Sequence, residues 1–580
     1  MKSEDLLTRR LRDHGIRRVF GIPGGPSLPF MDAFRREGIE FILTSHEASA
    51  AVMADVTARL TGVTGVCHGT FGPGAVNLAS GVGGALLDRS PVLALTSEVS
   101  DEWLGRTTQM HIDHQALFRP LTKATFRLNA ANAEEVLCRS LDIANEEYPG
   151  PVHIGLPSDV AGKETGRAGS SPELSGESFG RGASEVSTGH SAPGASAGTD
   201  ETGTDSGHDA SGKKPGNSER GLRSDRETTG SLPEQTEERV RVLIASARRP
   251  LIAVGLTAAR AGIGETLARF LEKHSVPVVV TPMAKGVISS GHPSYAGVLF
   301  HALSDRLKRL VNSADLVIGL GYDAVEYNYE SWLPDVPLVH FDTRASDLRI
   351  RGAIESLSAP DKWFEALTTL QSSPEMTRLA AEVRSEIRNE IYSKIPGFNP
   401  VTALAVLQEM LPFNTVVTAD VGSHLHLLGQ MWEVPPGGRL LMTNGWSSMG
   451  FGLPAALAAA LAEPERPVVC VTGDGGMLMH AGEMITARRL GLKIVVVVLS
   501  DGELNLIKIK ESRRNIRSSA LQLYSDKLFG AERFLGAGVL QVTDTGQMRS
   551  AVKKAMQSNG STIIEATVDP SVYSELISGS

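Results

Sequence analysis

The segment "RPVVCVTGDGGMLMHAGEMITARRLGLKIVVVVLSDGELN", residues 466–505, decides the fold of this chain. It reads as an apolar strand, a glycine-rich turn with Asp474, a helix from Met477 to about Leu490, and a second apolar strand that ends at Asp501. A strand–helix–strand unit of this kind connects parallel strands, so we expect the two strands to be neighbours in a parallel sheet. Asp474 and Asp501, which are 27 residues apart, are therefore predicted to lie at one carboxyl edge, where open α/β sheets bind ligands.

The two aspartates predict a ligand as well as a fold. Neighbouring carboxylates repel each other unless a cation lies between them, and a hard divalent cation with oxygen ligands, most simply Mg2+, suits that position. Gly475 and Gly476 let the backbone approach closely, and N–H groups at the start of a helix favour an anion. A turn or a helix cap would explain either aspartate alone. Their joint placement favours a diphosphate that is bridged to the protein by Mg2+.

Composition limits the class of protein. The chain has 580 residues and a mass of 61.7 kDa, which is too long for one hydrophobic core. Its net charge of -9 and pI near 6.0 argue against a general binder of nucleic acid or of anionic membranes. The cysteines (Cys67, Cys138 and Cys470) have no paired spacing and are read as reduced thiols. No stretch has the roughly 18 uninterrupted apolar residues of a membrane span, so we expect a cytoplasmic protein without membrane contact.

Strand and helix patterns alternate along most of the chain, which predicts an α/β protein with three doubly wound parallel-sheet domains. The predicted division is an N-terminal domain at 1–161, a Gly/Ser/acidic insertion at 162–233, a central domain at 234–370, a helical linker at 371–397 and a C-terminal domain at 398–580. The composition of the insertion predicts disorder, with a tether or regulatory tail as the alternative. The first and last domains look like two versions of one layered plan.

A series of motifs resembles those of thiamine diphosphate (ThDP) enzymes. Besides the Gly-Asp-Gly turn, the chain carries, in the family's order, "VFGIPGG", "SHEASAA", "GTFGPGAVN", "GPVHIGLPSDV", "TPMAKGVISSGHPSYAGVL", "GLGYDAVEYNYESW", "TADVGSHLH" and "NGWSSMGFGLPAALAAA". The chain is most similar to acetolactate synthases, and "GLGYDAVEY" resembles their catabolic type. The resemblance implies a pyrimidine-binding N-terminal domain, a central Rossmann-like domain and a diphosphate-binding C-terminal domain.

The resemblance also implies the residues that hold the cofactor. The metal ligands would be Asp474, Asp501 and the backbone carbonyl of Glu503. Asp501 stands where the family usually has Asn, and its extra charge could alter metal affinity or metal choice. The implied cofactor-binding residues are Pro23, Val421, Gly422, Ser423, His424, Ser447, Met449, Gly473, Asp474, Gly475, Gly476, Asp501 and Glu503.

The implied catalytic residues are Glu47, Gly24, Gly25, Met449 and Gln109. Glu47 would hydrogen-bond N1′ of the cofactor's aminopyrimidine, and its apolar neighbours would raise its affinity for a proton by desolvation. Without the resemblance, Glu47 would be read as a helix-start acid. Met449 would support the bent shape of the cofactor, although methionine also fills cores. Gly24 and Gly25 would let the backbone approach the cofactor, and Gln109 would lie on the substrate side.

The resemblance implies ThDP and Mg2+ as cofactors, while FAD is possible but not favoured. It further implies a small 2-oxo acid substrate and a homodimer or homotetramer with active sites at subunit interfaces, where Glu47 and Asp474 of one site come from different chains. An acetolactate synthase-like carboligase is the first hypothesis, and a ThDP-dependent decarboxylase, lyase or acyl transferase with another acceptor is the second. A non-catalytic ThDP-binding protein is the third, and the retention of Glu47, Asp474 and Met449 argues against it.

Two segments that would select the acceptor depart from the family pattern. "NLIKIKESRRN" follows the second metal ligand, where biosynthetic acetolactate synthases carry a tryptophan. The substrate-side segment reads "TTQMHIDHQALF", with Gln109 and Met110 followed by His111 and His114. These histidines are read either as pocket or proton-relay residues or as polar residues on a helix face.

Overall fold

The computed structural model describes residues 1–165, 234–327, 331–345, 352–435 and 437–577. Most of the insertion that the sequence predicts, residues 166–233, lies outside these described residues. Among the described residues, no helix combines the length and the apolar character that crossing a membrane requires.

The N-terminal domain is a parallel sheet of six strands in the order β2-β1-β3-β4-β6-β5. Its strands are β1 (Arg18–Gly21), β2 (Glu40–Leu43), β3 (Gly65–Gly69), β4 (Val92–Glu98), β5 (Ala124–Arg127) and β6 (Val152–Pro157). Its helices are α1 (Ser3–Asp13), α2 (Leu28–Arg36), α3 (Glu47–Thr61), α4 (Pro73–Leu87), α5 (His114–Phe118) and α6 (Ala133–Ala144). Helix α3 ends where Gly62 adopts the left-handed conformation, as its sequence predicts.

The central domain is a second parallel sheet of six strands, ordered β12-β11-β10-β7-β8-β9. Its strands are β7 (Pro250–Val254), β8 (Val278–Val280), β9 (Tyr295–Val298), β10 (Leu316–Leu320), β11 (Leu338–Asp342) and β12 (Ala353–Leu357). The helices of this region are α7 (Glu234–Ser246), α8 (Leu256–Arg260), α9 (Gly264–Lys273), α10 (Lys308–Val311), α11 (Pro360–Ala366) and α12 (Pro374–Tyr392). Helix α12 buries an apolar face, including Val383 and Ile387, in a core that central and C-terminal residues share.

The C-terminal domain has seven strands in the order β14-β13-β15-β16-β19-β18-β17. They are β13 (Val416–Ala419), β14 (Arg439–Leu441), β15 (Val468–Gly473), β16 (Ile494–Ser500), β17 (Arg533–Phe534), β18 (Ala537–Val542) and β19 (Thr562–Thr567). Only the β17–β18 pair among them is antiparallel. The helices are α13 (Pro400–Met410), α14 (Ser423–Met431), α15 (Gly452–Ala462), α16 (Asp474–His480), α17 (Glu483–Arg489), α18 (Asn505–Arg514), α19 (Thr545–Gln557) and α20 (Ser571–Leu576).

The expected fold class is confirmed, and so is the likeness between the first and last domains. If the short antiparallel β17 is set aside, both sheets place their strands in the same order when each domain is numbered from its own first strand. The two domains also share a core, because α3 and α15 are rich in alanine and pack closely against each other. Small side chains permit that close approach of two helices.

The crossover at 466–505 has the predicted topology with a different helix. Strands β15 and β16 are parallel neighbours, with Gly473 opposite Leu499. The expected helix from Met477 to about Leu490 is wrong in its bounds, because α16 begins at Asp474 and a turn at residues 481–482 separates it from α17. At this turn the backbone meets the N-terminal domain, where a Cβ added to Gly482 would lie 3.0 Å from Ser45 Cβ. An interdomain contact of this kind leaves no periodic signal in the sequence.

Candidate active site

Asp474 and Asp501 meet at the carboxyl edge of the C-terminal sheet because β15 and β16 end side by side. Asp474 is 4% exposed. Its Oδ2 accepts the backbone N–H groups of Asp501 (3.1 Å) and Gly502 (2.7 Å) and the hydroxyl of Tyr524 (2.9 Å). Its Oδ1 accepts the N–H of Gly475 at 2.8 Å. These hydrogen bonds fix the carboxylate relative to both strand ends.

The surroundings of Asp501 favour a cation. Burial, and after it the negative charge of Asp474, raise the pKa of Asp501 to about 7. Asp501 Oδ1 accepts the N–H of Glu503 at 3.1 Å. The carbonyl of Glu503, the third expected ligand, accepts the N–H of Asn505 at 3.0 Å and keeps a second lone pair. The arrangement supplies carboxylate and carbonyl oxygens, the donor set that Mg2+ prefers.

Two buried polar atoms close to this edge lack partners. Ser423 Oγ and His424 Nε2 have no hydrogen-bond partner among the described residues. The ring of His424 lies beside the Gly-Asp-Gly turn, since a Cβ added to Gly473 would be 3.4 Å from its Cε1. Burial lowers the pKa of His424 to about 4, so the ring is neutral and carries one N–H. Unpartnered buried groups of this kind are expected where a ligand supplies the missing hydrogen bonds, so the site fits an anion with several acceptor oxygens.

Asp420 is a residue that the sequence analysis did not single out. It follows β13, and its Oδ1 accepts the N–H groups of Val421 (2.6 Å) and Gly450 (2.8 Å) while Oδ2 accepts the hydroxyl of Thr472 (2.9 Å). Burial raises its pKa to about 6. Asp420 thereby joins the loops that carry the expected cofactor residues. The signal was present in "TVVTAD", a third apolar strand that ends in aspartate.

Met449 lies against the glycine-rich turn. A Cβ added to Gly475 would be 2.9 Å from Met449 Cε, so a side chain at Gly475 would displace the methionine. Ser447 has a positive φ of 52°, and its hydroxyl donates to the carbonyl of Asn444. A cavity of about 40 Å³ is lined by Met449 and, from the N-terminal domain, by Ala48 of α3. Within one chain, the loop of Met449 and the helix of Glu47 therefore face the same space.

Glu47 is the first residue of α3 and is 7% exposed. Asn77 Nδ2 donates a hydrogen bond to Glu47 Oε2 at 3.0 Å. The other carboxylate oxygen, Glu47 Oε1, would lie 3.2 Å from a Cβ added to Gly74. Thr70 separates this group from the expected Pro23-Gly24-Gly25 turn, because a Cβ on Gly24 would be 2.2 Å from Thr70 Oγ1. Among the described residues, no atom lies within 4 Å of a Cβ added to Gly25, so the space beside this glycine is open. Thr70 and Asn77 lie inside the quoted "GTFGPGAVN" but carried no individual signal.

Gln109, the expected substrate-side residue, precedes Met110, whose carbonyl oxygen would lie 2.5 Å from a Cβ added to Gly72 at the start of α4. It is exposed on the segment before α5, and its N–H is bonded to the hydroxyl of Thr107. His111, close behind it, lines a separate pocket of about 290 Å³ together with Glu98 and Arg127.

His114 is a buried hydrogen-bonding residue rather than a polar residue on a helix face. Its Nε2 accepts the N–H of Gly72 at 3.2 Å, so Nδ1 carries the proton and donates to Thr96 Oγ1 at 2.8 Å. Thr96 in turn donates to His153 Nε2 (2.8 Å), and His153 Nδ1 donates to Thr125. Burial lowers the pKa of both histidines, which keeps the rings neutral. Although Glu98, His114 and His153 are close enough to share a metal ion, hydrogen bonds within the protein already satisfy all four ring nitrogens.

Comparison with known proteins identifies the family. Three family models match in order: "Thiamine pyrophosphate enzyme, N-terminal TPP binding domain" at residues 1–117, the central domain at 238–360, and the "C-terminal TPP binding domain" at 420–566. Thiamine pyrophosphate is another name for ThDP.

Among the similar proteins are a probable acetolactate synthase large subunit of Methanocaldococcus jannaschii (28% identical, covering 98% of this chain and 92% of that protein) and the acetolactate synthase isozyme 2 large subunit of Escherichia coli (26%, 98% and 96%). An acetolactate synthase of Bacillus subtilis is 25% identical over 98% of this chain and 93% of its own. The three domain models occur in the family's order and the relatives align over almost the whole chain, so this protein belongs to the thiamine pyrophosphate enzymes and is of the acetolactate synthase type.

Proposed function

We propose that this protein is a ThDP- and Mg2+-dependent carboligase that converts pyruvate and a second 2-oxo acid into a 2-acetolactate-type product and CO2. The observation that carries the proposal is the joint presence, at one sheet edge, of the Asp474–Asp501 pair and the unpartnered Ser423 Oγ and His424 Nε2. The two carboxylates suit a divalent cation. The serine hydroxyl and the histidine nitrogen suit the anionic oxygens of a diphosphate that such a cation binds.

The C-terminal domain would hold the metal and the diphosphate. Asp474, Asp501 and the carbonyl of Glu503 would bind Mg2+, and Ser423, His424 and the backbone around Gly475 and Gly476 would bind the diphosphate. Val421, Gly422, Gly473 and Ser447 would complete the surroundings of the cofactor. Helix α16 has only seven residues, so its dipole contributes less than the direct hydrogen bonds.

The N-terminal domain would hold the pyrimidine. When bound, ThDP would supply an acidic ring carbon, which can add to the oxo group once its proton has been removed, and a positively charged ring that takes up the electron pair of the bond broken as CO2 leaves. Glu47 would hold a proton at N1′ of the pyrimidine. Asn77 donates a hydrogen bond to the carboxyl group of Glu47 and so fixes its position. Met449, which lies against the glycine-rich turn, would pack against the cofactor. Pro23, Gly24 and Gly25 would border the reacting carbon, where the open space beside Gly25 leaves room for substrate.

FAD is not part of this proposal. At the carboxyl edge of the central sheet, where an open α/β domain would bind a dinucleotide, backbone segments touch each other. A Cβ added to Gly255 would be 2.4 Å from Tyr322 Cα, and one added to Gly321 would be 2.2 Å from the backbone nitrogen of Ala258. Arg89 of the N-terminal domain also reaches this edge and pairs with Asp323 at 2.6 Å.

A second copy of the chain is the proposed partner, as a homodimer or a homotetramer. Large apolar side chains are exposed on the elements that carry the site, which is typical of a protein interaction surface. They include Val76, Trp446, Leu478, Met479 and Ile485. Active sites at such interfaces would take Glu47 from one chain and Asp474 from the other.

The alternative is a ThDP-dependent decarboxylase, lyase or acyl transferase with another acceptor. The substrate-side segment supports this alternative reaction. Gln109 is exposed, and the pocket next to it is lined by Arg127 and His111. An ionic lining of this kind can select an acceptor other than a small 2-oxo acid.

Product analysis distinguishes the two reactions. The protein is incubated with ThDP, Mg2+ and pyruvate, with and without added aldehydes, and the products are separated and identified. We expect CO2 and an acetolactate-type product without added aldehyde, and neither in a control that contains EDTA. Acetaldehyde as the product, or a new product only when an aldehyde is added, would favour the alternative. Absence of any turnover with 2-oxo acids would contradict both.

A further inference from the structure

Hydrogen bonds connect the N-terminal and C-terminal domains at the residues that immediately precede Glu47 in the sequence. On the N-terminal side, the contact involves Ser45, His46 and Ser49. On the C-terminal side, it involves the end of α16 and the start of α17. We call this contact the interdomain latch.

Glu483 is the centre of the latch. Its side chain is fully buried, and its Oε1 accepts the backbone N–H groups of Ser45 (2.9 Å) and His46 (3.2 Å). These two groups immediately precede α3, whose first residue is Glu47. N–H groups at a helix start have no partner within the helix, and Glu483 Oε1 is the acceptor that the N–H groups of Ser45 and His46 share. A carboxylate is also favourable at the positive end of the 15-residue α3.

Two further hydrogen bonds belong to the interdomain latch. The hydroxyl of Ser45 donates to the carbonyl of Gly482 at 2.8 Å, and the hydroxyl of Ser49 bonds to His480 Nδ1 at 2.7 Å. His480 is the last residue of α16, the helix that begins at Asp474. The latch therefore connects the helix that starts at the proposed metal ligand with the helix that starts at the proposed catalytic acid.

We propose that Glu483 is a positioning residue, which fixes the first turn of α3 from the C-terminal domain and so holds Glu47 in its working orientation. The proposal rests on the role given to Glu47 above. Glu483 itself touches neither substrate nor cofactor in this scheme. Its effect should therefore fall on turnover, while the binding of Mg2+ and diphosphate, which depends on other residues, should change little.

Two substitutions separate the hydrogen bonds from the charge. Glu483→Leu has a similar volume but cannot accept the two N–H groups, whereas Glu483→Gln keeps an acceptor oxygen for them, removes the charge, and replaces Oε2, which has no hydrogen-bond partner among the described residues, by an NH2 group. Glu465→Leu is the matched control, because Glu465 is an exposed glutamate of the same domain. Should the leucine variant not fold, Glu483→Ala removes the acceptor without placing an apolar side chain beside the amides.

The first measurement is hydrogen exchange of the full-length protein without cofactor, followed by mass spectrometry of a peptide that covers residues 44–50. We expect Glu483→Leu to raise amide exchange in this peptide by about tenfold or more, because lost hydrogen bonds let the helix start open. Glu483→Gln and the control should exchange at nearly the wild-type rate. Unchanged exchange in the leucine and alanine variants would show that the latch does not hold α3 and would overturn the proposal.

The second measurement is kinetic. With ThDP and Mg2+ present, we expect Glu483→Leu to lower kcat by about 10- to 100-fold while the affinity for ThDP changes by less than about threefold, since a small misplacement of a catalytic group has effects of this size. Glu483→Gln should recover most of kcat. A leucine variant with the kcat of the control would overturn the positioning role. Absence of turnover in the wild-type protein would instead refute the proposed function, and with it the positioning role, while leaving the exchange result as a separate test of the contact.

Discussion

At the scale of single residues, the two adjacent carboxylates at the C-terminal sheet edge determine how the site responds to pH. The pKa of Asp501 is raised from 3.8 to about 7, so without a cation the folded protein binds this proton more tightly than the unfolded chain does. The contribution of Asp501 to the free energy of unfolding is therefore present below pH about 4 and is lost as the pH rises towards 7.

A metal ion that binds Asp501 must displace the proton of this carboxyl group, so the affinity for the metal should depend on pH. We expect the apparent affinity for Mg2+ to fall by about tenfold between pH 8 and pH 6, because metal ligands must be deprotonated. Asp501→Asn should remove most of this dependence, since an amide oxygen does not titrate in this range. Calorimetric titration of Mg2+ at both pH values, in the presence of ThDP, measures it. Equal pH dependence in the two proteins would mean that Asp501 is not a ligand.

Glu47 provides a second prediction at this scale. Glu47→Gln keeps the shape and the hydrogen bond with Asn77 but cannot exchange a proton. We expect kcat to fall by about 10²- to 10⁴-fold, the usual contribution of acid–base catalysis, with ThDP still bound. Turnover assays combined with titration of ThDP, followed by tryptophan fluorescence, check both parts. Full activity in this variant would contradict the assignment.

At the scale of elements, the ends of β13, β15 and β16 form one unit. Each strand is apolar along its length and is followed by an aspartate: Asp420, Asp474 and Asp501. Their roles differ because their neighbours differ. Asp474 and Asp501 face the proposed metal site, whereas Asp420 accepts hydrogen bonds from the backbone of two loops and from Thr472.

Asp420 should accordingly affect cofactor binding without being a ligand. We expect Asp420→Ala to weaken ThDP binding by about tenfold or more, because it removes the acceptor of the Val421 and Gly450 N–H groups, while the Thr472 hydroxyl keeps only the carbonyl of Gly473. Asp420→Asn, which keeps one acceptor oxygen, should lose less affinity. Titration with ThDP at saturating Mg2+ compares the two variants. If both bind ThDP like the wild type, Asp420 does not organise the loops.

At the scale of the whole molecule, the first and last domains are two copies of one topology that contribute different chemistry. The N-terminal copy places a carboxylic acid, Glu47, at a helix start, and the C-terminal copy places Asp474 and Asp501 at its sheet edge. In one chain, the two copies meet through α3, α15 and the interdomain latch. The proposed interface between subunits would bring together the same two kinds of surface from different chains.

Mixing of inactive variants tests that arrangement. If each site takes Glu47 from one chain and Asp474 from another, co-expressing Glu47→Gln with Asp474→Asn should restore about a quarter of wild-type activity, because half of the dimers are mixed and each has one intact site. Each variant expressed alone is the control, and light scattering after gel filtration gives the number of chains. No recovery in a protein that contains mixed dimers would place both residues of a site on one chain.

Much of the fold and part of the site were predictable from the sequence. Apolar β-forming runs, helices ending in glycine and the crossover at 466–505 predict parallel α/β layers, because the period of apolar residues depends on local backbone geometry. The ends of parallel strands lie at one edge of a sheet, so two strands that each end in aspartate predict neighbouring carboxylates. Asp420 was predictable on the same grounds from "TVVTAD", although it was not singled out.

Other features depend on contacts between residues that are far apart in sequence. The break between α16 and α17, the burial of His114 and the partners of Glu483 all arise where one domain or loop packs on another. No local pattern encodes such contacts, because they depend on how separate segments are brought together. The sequence by itself therefore determined the layers, the strand ends and the kind of chemistry. Only the tertiary structure decided which groups meet across domains, since burial and hydrogen bonding between distant segments exist only once the chain has folded.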